Sequence, residues 1–134
     1  MAFRILIVDD EPLVRVGIRL ILDRHEDWMV CGEAENGVQA IEKAIELNPD
    51  LIVMDVVMPE LDGIHAAIEI RRRLPGAPIV MLTLHETLSI ARLAASAGAS
   101  AYVGKSLIAK ELVPAIESLK SKKGAASQFP SRSG

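Results

Sequence analysis

Three carboxylates, a hydroxyl and an ammonium group stand out in this 134-residue chain as side chains that could work together. Asp9 and Asp10 close the apolar run Ile5-Leu6-Ile7-Val8, and Asp55 follows Leu51-Ile52-Val53-Met54. Thr83 follows Ile79-Val80-Met81-Leu82, and Lys105 comes directly after Tyr102-Val103-Gly104. Each has an ordinary reading by itself. Asp10, ahead of Glu11-Pro12, could cap a helix, while Asp55 could form a turn, Thr83 could bond nearby backbone and Lys105 could be a solvated charge. As a set they read differently, because Asp9, Asp10 and Asp55 bring like charges together. Such crowding raises carboxylate pKa values and costs energy unless a cation neutralises it. Lys105 and a hard divalent ion would do so. Mg²⁺ prefers oxygen ligands and keeps several waters, so one or two carboxylates, a backbone carbonyl and a substrate phosphate would complete its octahedron.

The elements that must position these groups can be read from hydrophobic periodicity. Apolar runs at 4–8, 29–33, 51–54, 78–82 and 101–104 predict five strands. The runs at 51–54 and 79–82 do not alternate, as expected of parallel strands covered on both faces. Helical spacing lies between and after them: Leu13, Val16, Leu20; then Val38, Ile41, Ala44, Ile45; then Ile64, Ala67, Ile68; then Leu88, Ala91, Ala95; and last Ile108, Leu112, Ala115, Ile116, Leu119. Asn36-Gly37, Asn48-Pro49, Asp62-Gly63, Pro75-Gly76 and Gly98 supply the punctuation. Regular strand–helix alternation implies right-handed crossovers and an open parallel sheet with helices on both faces. Ligands bind such sheets beyond the carboxyl ends of the strands, where the strand order reverses. All five groups fall on that rim.

Composition sets the outer bounds. Half of the residues are apolar and a quarter charged, the balance of one globular domain rather than of a disordered chain. The net charge is −3, without the dense basic face of a phosphate-backbone binder. A single cysteine, Cys31, suits a reducing compartment, so a cytoplasmic location is expected. No run approaches the ~18 apolar residues of a membrane span, and the start lacks the pattern of an export signal. Residues 1–117 carry 11 basic and 18 acidic residues, whereas four basic residues and no acid follow from Ser118 onward. The boundaries expected are a folded domain over 1–122 and, over 123–134, a Ser- and Gly-rich disordered tail or start of a linker. Arg71-Arg72-Arg73 reads as a solvated helix end, His25 and His65 as surface residues, and Trp28 as packing near the entry to the second strand.

The combination Asp9-Asp10, Asp55, Met58-Pro59, Asp62-Gly63, Thr83, Tyr102 and Lys105 resembles the receiver domain of two-component response regulators, over about residues 4–120. Val8-Asp9-Asp10-Glu11, Gly32-Glu33-Ala34 with Asn36-Gly37, and Ala97-Gly98-Ala99 resemble the NarL, FixJ and LuxR-like branch, whose members usually carry a C-terminal helix-turn-helix output domain. The resemblance implies a flavodoxin-like, CheY-like α/β fold: a doubly wound five-stranded parallel sheet of order 2-1-3-4-5 with five helices. It implies that Asp55 accepts a phosphoryl group from a sensor histidine kinase. Mg²⁺ is then held by Asp10 and Asp55, by Asp9 through water, and by the backbone carbonyl of Val57. Lys105 pairs with the phosphoryl oxygens, the Thr83 hydroxyl moves in to bond them, and Tyr102 turns inward behind it. Val57 and His85, two places after the acceptor and the switch hydroxyl, flank the path of hydrolytic water and tune the phosphoryl lifetime. Further implications are a possible homodimer, DNA contacted only through an output domain absent from this chain, and no membrane. Leu84 is bulkier than the family's usual small residue and is expected to narrow access to Asp55.

Other functions fit the residues less well. An aspartyl-phosphate phosphatase of the haloacid dehalogenase type needs a second acid two places after its nucleophile, where this chain has Val57. A flavodoxin-like nucleotide binder needs a Gly- or Ser/Thr-rich phosphate loop after the first strand, where Asp9-Asp10-Glu11 would repel a phosphate. A partner-binding module without phosphorylation would not need the complete set of acids, hydroxyl and lysine.

Overall fold

Short, strongly apolar strands joined by amphipathic helices leave few ways to bury both, and the chain adopts the doubly wound solution. In the computed structural model, which describes residues 2–84 and 87–124, the elements run β1 (Phe3–Val8), α1 (Pro12–Leu22), β2 (Trp28–Ala34), α2 (Gly37–Leu47), β3 (Leu51–Asp55), α3 (Gly63–Arg73), β4 (Ile79–Thr83), α4 (Leu88–Ser96), β5 (Ala101–Gly104) and α5 (Ile108–Gly124). A single 3₁₀ turn, Lys105–Leu107, links β5 to α5. The five strands are parallel, as the hydrophobic pattern predicts, and ordered β2-β1-β3-β4-β5, as the resemblance implies. The helix α5 extends to Gly124, two residues beyond the boundary expected at 122. The rest of the expected tail, and His85, lie outside the described residues.

Strand alternation divides the interior into two layers. Phe3, Ile5, Ile7, Leu51, Val53, Val80 and Leu82 pack with Ile18 and Leu22 of α1 and with Leu112 and Ile116 of α5. Leu6, Val8, Ile52, Met54, Ile79 and Met81 pack on the opposite face with α2, α3 and α4. The central strands β1, β3 and β4 are buried along their length apart from Arg4, which explains their unbroken apolar runs.

Two helix faces differ from the expectation. In α1, Leu13 and Leu20 are 84% and 64% exposed and Val16 is also exposed, while Ile18 and Leu22 are buried. Apolar residues surround most of this helix, so the 3.6-residue period fits more than one face and only the neighbours α5 and β1 select between them. In α4, Ala94 is buried and Leu88 exposed for the same reason. The Arg71-Arg72-Arg73 run also divides. Arg72 and Arg73 pair with Glu69 at the surface, but the half-buried Arg71 donates to the carbonyls of Pro75 and Gly98 at 2.7 and 2.8 Å, fastening α3 to the loop before β5. Gly98 occupies φ +99°, a conformation L side chains seldom adopt. His25 is half-buried and stacks on Trp28, with ring centroids 4.1 Å apart.

Gly63 bears directly on the rim. It begins α3, and its N–H donates to the Val56 carbonyl at 2.8 Å. A Cβ at this position would collide with the carbonyl oxygen of Asp55. Gly63→Ala is therefore expected to cost about 1–3 kcal/mol in urea denaturation, the usual range for overpacking. Gly76→Ala, at a position with no atom near the added Cβ, should stay within about 0.5 kcal/mol of the parent.

Candidate phosphoacceptor and metal site

The carboxyl ends of β1, β3, β4 and β5 bring the predicted side chains to one place. Asp9 is fully buried, Asp55 is 4% exposed and Thr83 is buried, whereas Asp10 faces solvent. One carboxylate oxygen from each of Asp9, Asp10 and Asp55 lies within 4.8 Å of the others. The Nζ of Lys105 lies 2.9 Å from Asp9 Oδ2, 3.0 Å from Asp55 Oδ2 and 3.3 Å from Glu11 Oε1. The 3₁₀ turn after β5 aims this side chain inward across the sheet end.

Capping does not account for the acids. The residue ahead of α1 is Glu11, whose side chain makes no capping bond, with Pro12 in the first helical turn. Asp9 Oδ1 instead accepts the Glu11 N–H at 2.9 Å, and among the described residues the Asp10 carboxylate is engaged in no hydrogen bond or ion pair. By contrast Asp62 caps α3 by accepting the His65 N–H at 2.8 Å, and Asn36 caps α2 in the same way through Gln39. Capping is done by residues outside the cluster, which leaves the cluster available for other work.

Electrostatics shows what is left uncompensated. Burial pushes the Asp55 carboxyl up to about 6, the charge of Asp9 adds to the rise, and Lys105 and the Val57 N–H hold it back. Burial alone would lower the Lys105 ammonium, yet Asp9 and Asp55 raise it above the usual lysine range. Asp9 Oδ2 is ion-paired with Lys105 but accepts no aligned hydrogen bond. One ammonium thus serves three acids incompletely. A buried, unsatisfied carboxylate oxygen beside two further carboxylates is a donor set that fits a hard, oxygen-seeking cation.

Above these groups lies an open cavity of about 320 Å³, bordered by Asp10, Asp55, Val57, Thr83, Leu84 and Lys105. Leu84 and Val57 are both exposed at its edge. Tyr102 does not line this cavity. It is 40% exposed and borders a separate alanine-lined cavity of about 170 Å³ between α4 and β5. Sequence reasoning missed two participants. Glu11 contacts Lys105, and Arg15 donates to the Asp9 carbonyl at 2.6 Å; the spacing of Arg15 from Asp9, one turn into α1, is the signal that could have revealed it.

Because the folded-state pKa of Asp55 exceeds its ordinary value, the folded chain holds the proton more tightly than the unfolded one. This contribution favours folding below about pH 4 and is lost as pH rises through about 6. In metal-free buffer, Asp55→Asn should therefore stabilise the chain at pH 7 by about 1–3 kcal/mol, and the gain should shrink as pH is lowered toward 4. Urea denaturation at both pH values checks this; a loss of stability at pH 7 would contradict it.

Comparison with known proteins agrees with this geometry. A family model described as response regulator receiver domain matches residues 5–117. The response regulator protein VraR of Staphylococcus epidermidis is 40% identical over 116 residues, covering 87% of this chain and 56% of that protein. Its counterpart from Staphylococcus aureus strain NCTC 8325 is 39% identical over the same length, with the same coverage. The chain thus spans little more than half the length of these curated relatives. Among solved structures, a LuxR-family two-component response regulator from Aurantimonas sp. superposes with a TM-score of 0.85 at 39% identity, covering 90% of this chain and 86% of that one. The signal receiver domain of the putative response regulator NarL from Mycobacterium tuberculosis superposes with a TM-score of 0.83 at 29% identity, covering 90% and 97% respectively. With its fold, acidic rim and relatives in agreement, the chain belongs to the response regulator receiver domain family, in the branch that includes the NarL and LuxR-type regulators.

Proposed function

We propose that Asp55 accepts a phosphoryl group from a phosphohistidine of a sensor histidine kinase, and that the resulting change controls an output, namely transcription through a DNA-binding domain outside this chain. The observation that carries this reading is the triad Asp9, Asp10 and Asp55 closed by Lys105 beneath an open cavity. An Asp55 oxygen attacks phosphorus in line, an O–P bond forms, the P–N bond to the histidine breaks, and the imidazole leaves. Such a transfer needs positioning and charge neutralisation more than covalent machinery. Asp9, Asp10, Asp55 and the Val57 carbonyl would hold Mg²⁺, which when bound neutralises the phosphoryl oxygens and the acids together. Lys105 moves from carboxylate to phosphoryl oxygen with little displacement, since its ammonium already lies 3.0 Å from Asp55 Oδ2.

The domain is a signalling device rather than an enzyme with a separate substrate: it assists its own phosphorylation and later hydrolysis. Thr83, at the end of β4, then turns its hydroxyl onto the phosphoryl group. Tyr102, exposed at present, then turns inward and alters the face of α4, β5 and α5, biasing either a homodimer or release of an output domain. A cytoplasmic setting is consistent with a single half-buried free cysteine, Cys31, and among the described residues no helix is long and apolar enough to cross a membrane.

Incubation with acetyl phosphate and Mg²⁺ should add one phosphoryl mass to the intact chain, and Asp55→Asn should abolish the adduct; retention of the adduct by the variant refutes the assignment. The lifetime of the phosphoryl group tests the edge of the cavity. Val57 excludes water where a polar side chain would orient it, so Val57→Asn should shorten the phosphorylated half-life after donor removal at fixed Mg²⁺ and pH. Equal decay removes Val57 from that role, and His85→Ala then reports on the other flank.

A further inference from the structure

We propose that Arg15 is a positioning residue of the metal site, holding the backbone of Asp9 from an anchor on the edge strand β2 and so setting the affinity for Mg²⁺. This rests on the reading of the acidic triad as a Mg²⁺ site. The side chain of Arg15 is 16% exposed and its guanidinium makes two directed bonds. One nitrogen donates to the Asp9 carbonyl at 2.6 Å, and Nε donates to Glu33 Oε1 at 2.8 Å. The other oxygen of Glu33 accepts from Arg19 at 2.6 and 3.0 Å, so both carboxylate oxygens are engaged. Glu33 is held below the usual carboxylate range, chiefly by Arg19.

A fault in strand register makes the arrangement possible. β1 and β2 pair Ile5 with Val30 but Leu6 with Gly32, so β2 carries one extra residue at that step. Cys31 packs against the layer under α2, and a Cβ on Gly32 would meet Leu47 of α2, so both positions face that side. Glu33 therefore lies beside Ile7, on the side of α1, where Arg15 and Arg19 reach it. Without the bulge the alternation would turn Glu33 toward α2. The bulge, Glu33, Arg15 and the Asp9 carbonyl form one chain of contacts from the sheet edge to the rim.

Loss of an outer contact that fixes ligand orientation commonly weakens metal affinity by about 10–100-fold. Charge alone predicts the opposite sign here. Removing a cation near the triad would tighten Mg²⁺ binding, whereas releasing the Asp9 backbone would weaken it.

The test is a Mg²⁺ titration of the intact chain by calorimetry, with the amide shifts of residues 9–11 as a second readout, under conditions where each variant is folded. Arg15→Met should bind Mg²⁺ about tenfold more weakly than the parent. Arg15→Lys, which keeps the charge but has a single donor group to serve two acceptors, should fall between them. Glu33→Gln, which touches no ligand, should weaken binding in the same direction. The slower phosphorylation of Arg15→Met by acetyl phosphate should be restored at saturating Mg²⁺, as a loss of metal affinity requires. Equal or tighter binding by Arg15→Met overturns the proposal, as does a phosphorylation deficit that saturating Mg²⁺ leaves in place. Should Arg15→Met fail to fold, unchanged affinity in both Arg15→Lys and Glu33→Gln overturns it. A parent that binds no Mg²⁺ contradicts the reading of the triad and this inference together, whereas parental affinity in Arg15→Met contradicts the inference alone.

Discussion

The contact of one ammonium with buried carboxylates, Lys105 with Asp9 and Asp55, is the constraint on which the site depends. Removing carboxylates from water costs several kcal/mol each, and a neighbouring charge repays that only with good geometry. Lys105 repays part of it. The rest remains as the raised Asp55 carboxyl and the unaligned Asp9 oxygen. A site held in this state gains from any additional positive charge and from any change that gives Lys105 a better acceptor. The proposed cation binding and phosphorylation therefore act on the same imbalance.

The scaffold keeps that imbalance from relaxing. Asp9 and Asp55 follow or end buried parallel strands whose neighbours fix them along their length. The start of α3 presses against Asp55, where a side chain at Gly63 would not fit. From the other direction, Arg15 holds the Asp9 backbone through Glu33. Asp10, by contrast, is exposed, so the rigid part of the site is its floor. Thr83 and Tyr102 sit on the adjacent strands β4 and β5, where the same rim meets the face of α4 and α5. Under the proposed function, repacking at that junction carries a change of charge at Asp55 to the surface.

The strand cores and the rim residues were readable from sequence, for a physical reason. Parallel strands buried on both faces must be continuously apolar, so a charged or hydroxyl residue at the end of such a run is conspicuous. Asp9, Asp10, Asp55, Thr83 and Lys105 were all visible in this way, and resemblance to receivers supplied the roles that spacing could not. What escaped depended on tertiary context. The buried face of α1 was misjudged because Leu13, Val16 and Leu20 match the helical period as well as Ile18 and Leu22 do. Arg71 reads from sequence as a solvated helix end, because its bonds to the carbonyls of Pro75 and Gly98 depend on how the loops that carry them pack. The bulge that turns Glu33 toward Arg15 leaves no pattern in a half-buried edge strand, since the register belongs to the pair β1 and β2.

The acids of the rim are under-neutralised, and the proposed Mg²⁺ completes them. Carbon-13 NMR titration of the Asp55 carboxyl, with and without Mg²⁺, measures this directly. In metal-free solution the Asp55 carboxyl should titrate near pH 6, and at lower pH when Mg²⁺ is added. An Asp55 carboxyl that titrates at its ordinary value near 3.9 and does not respond to Mg²⁺ would contradict it.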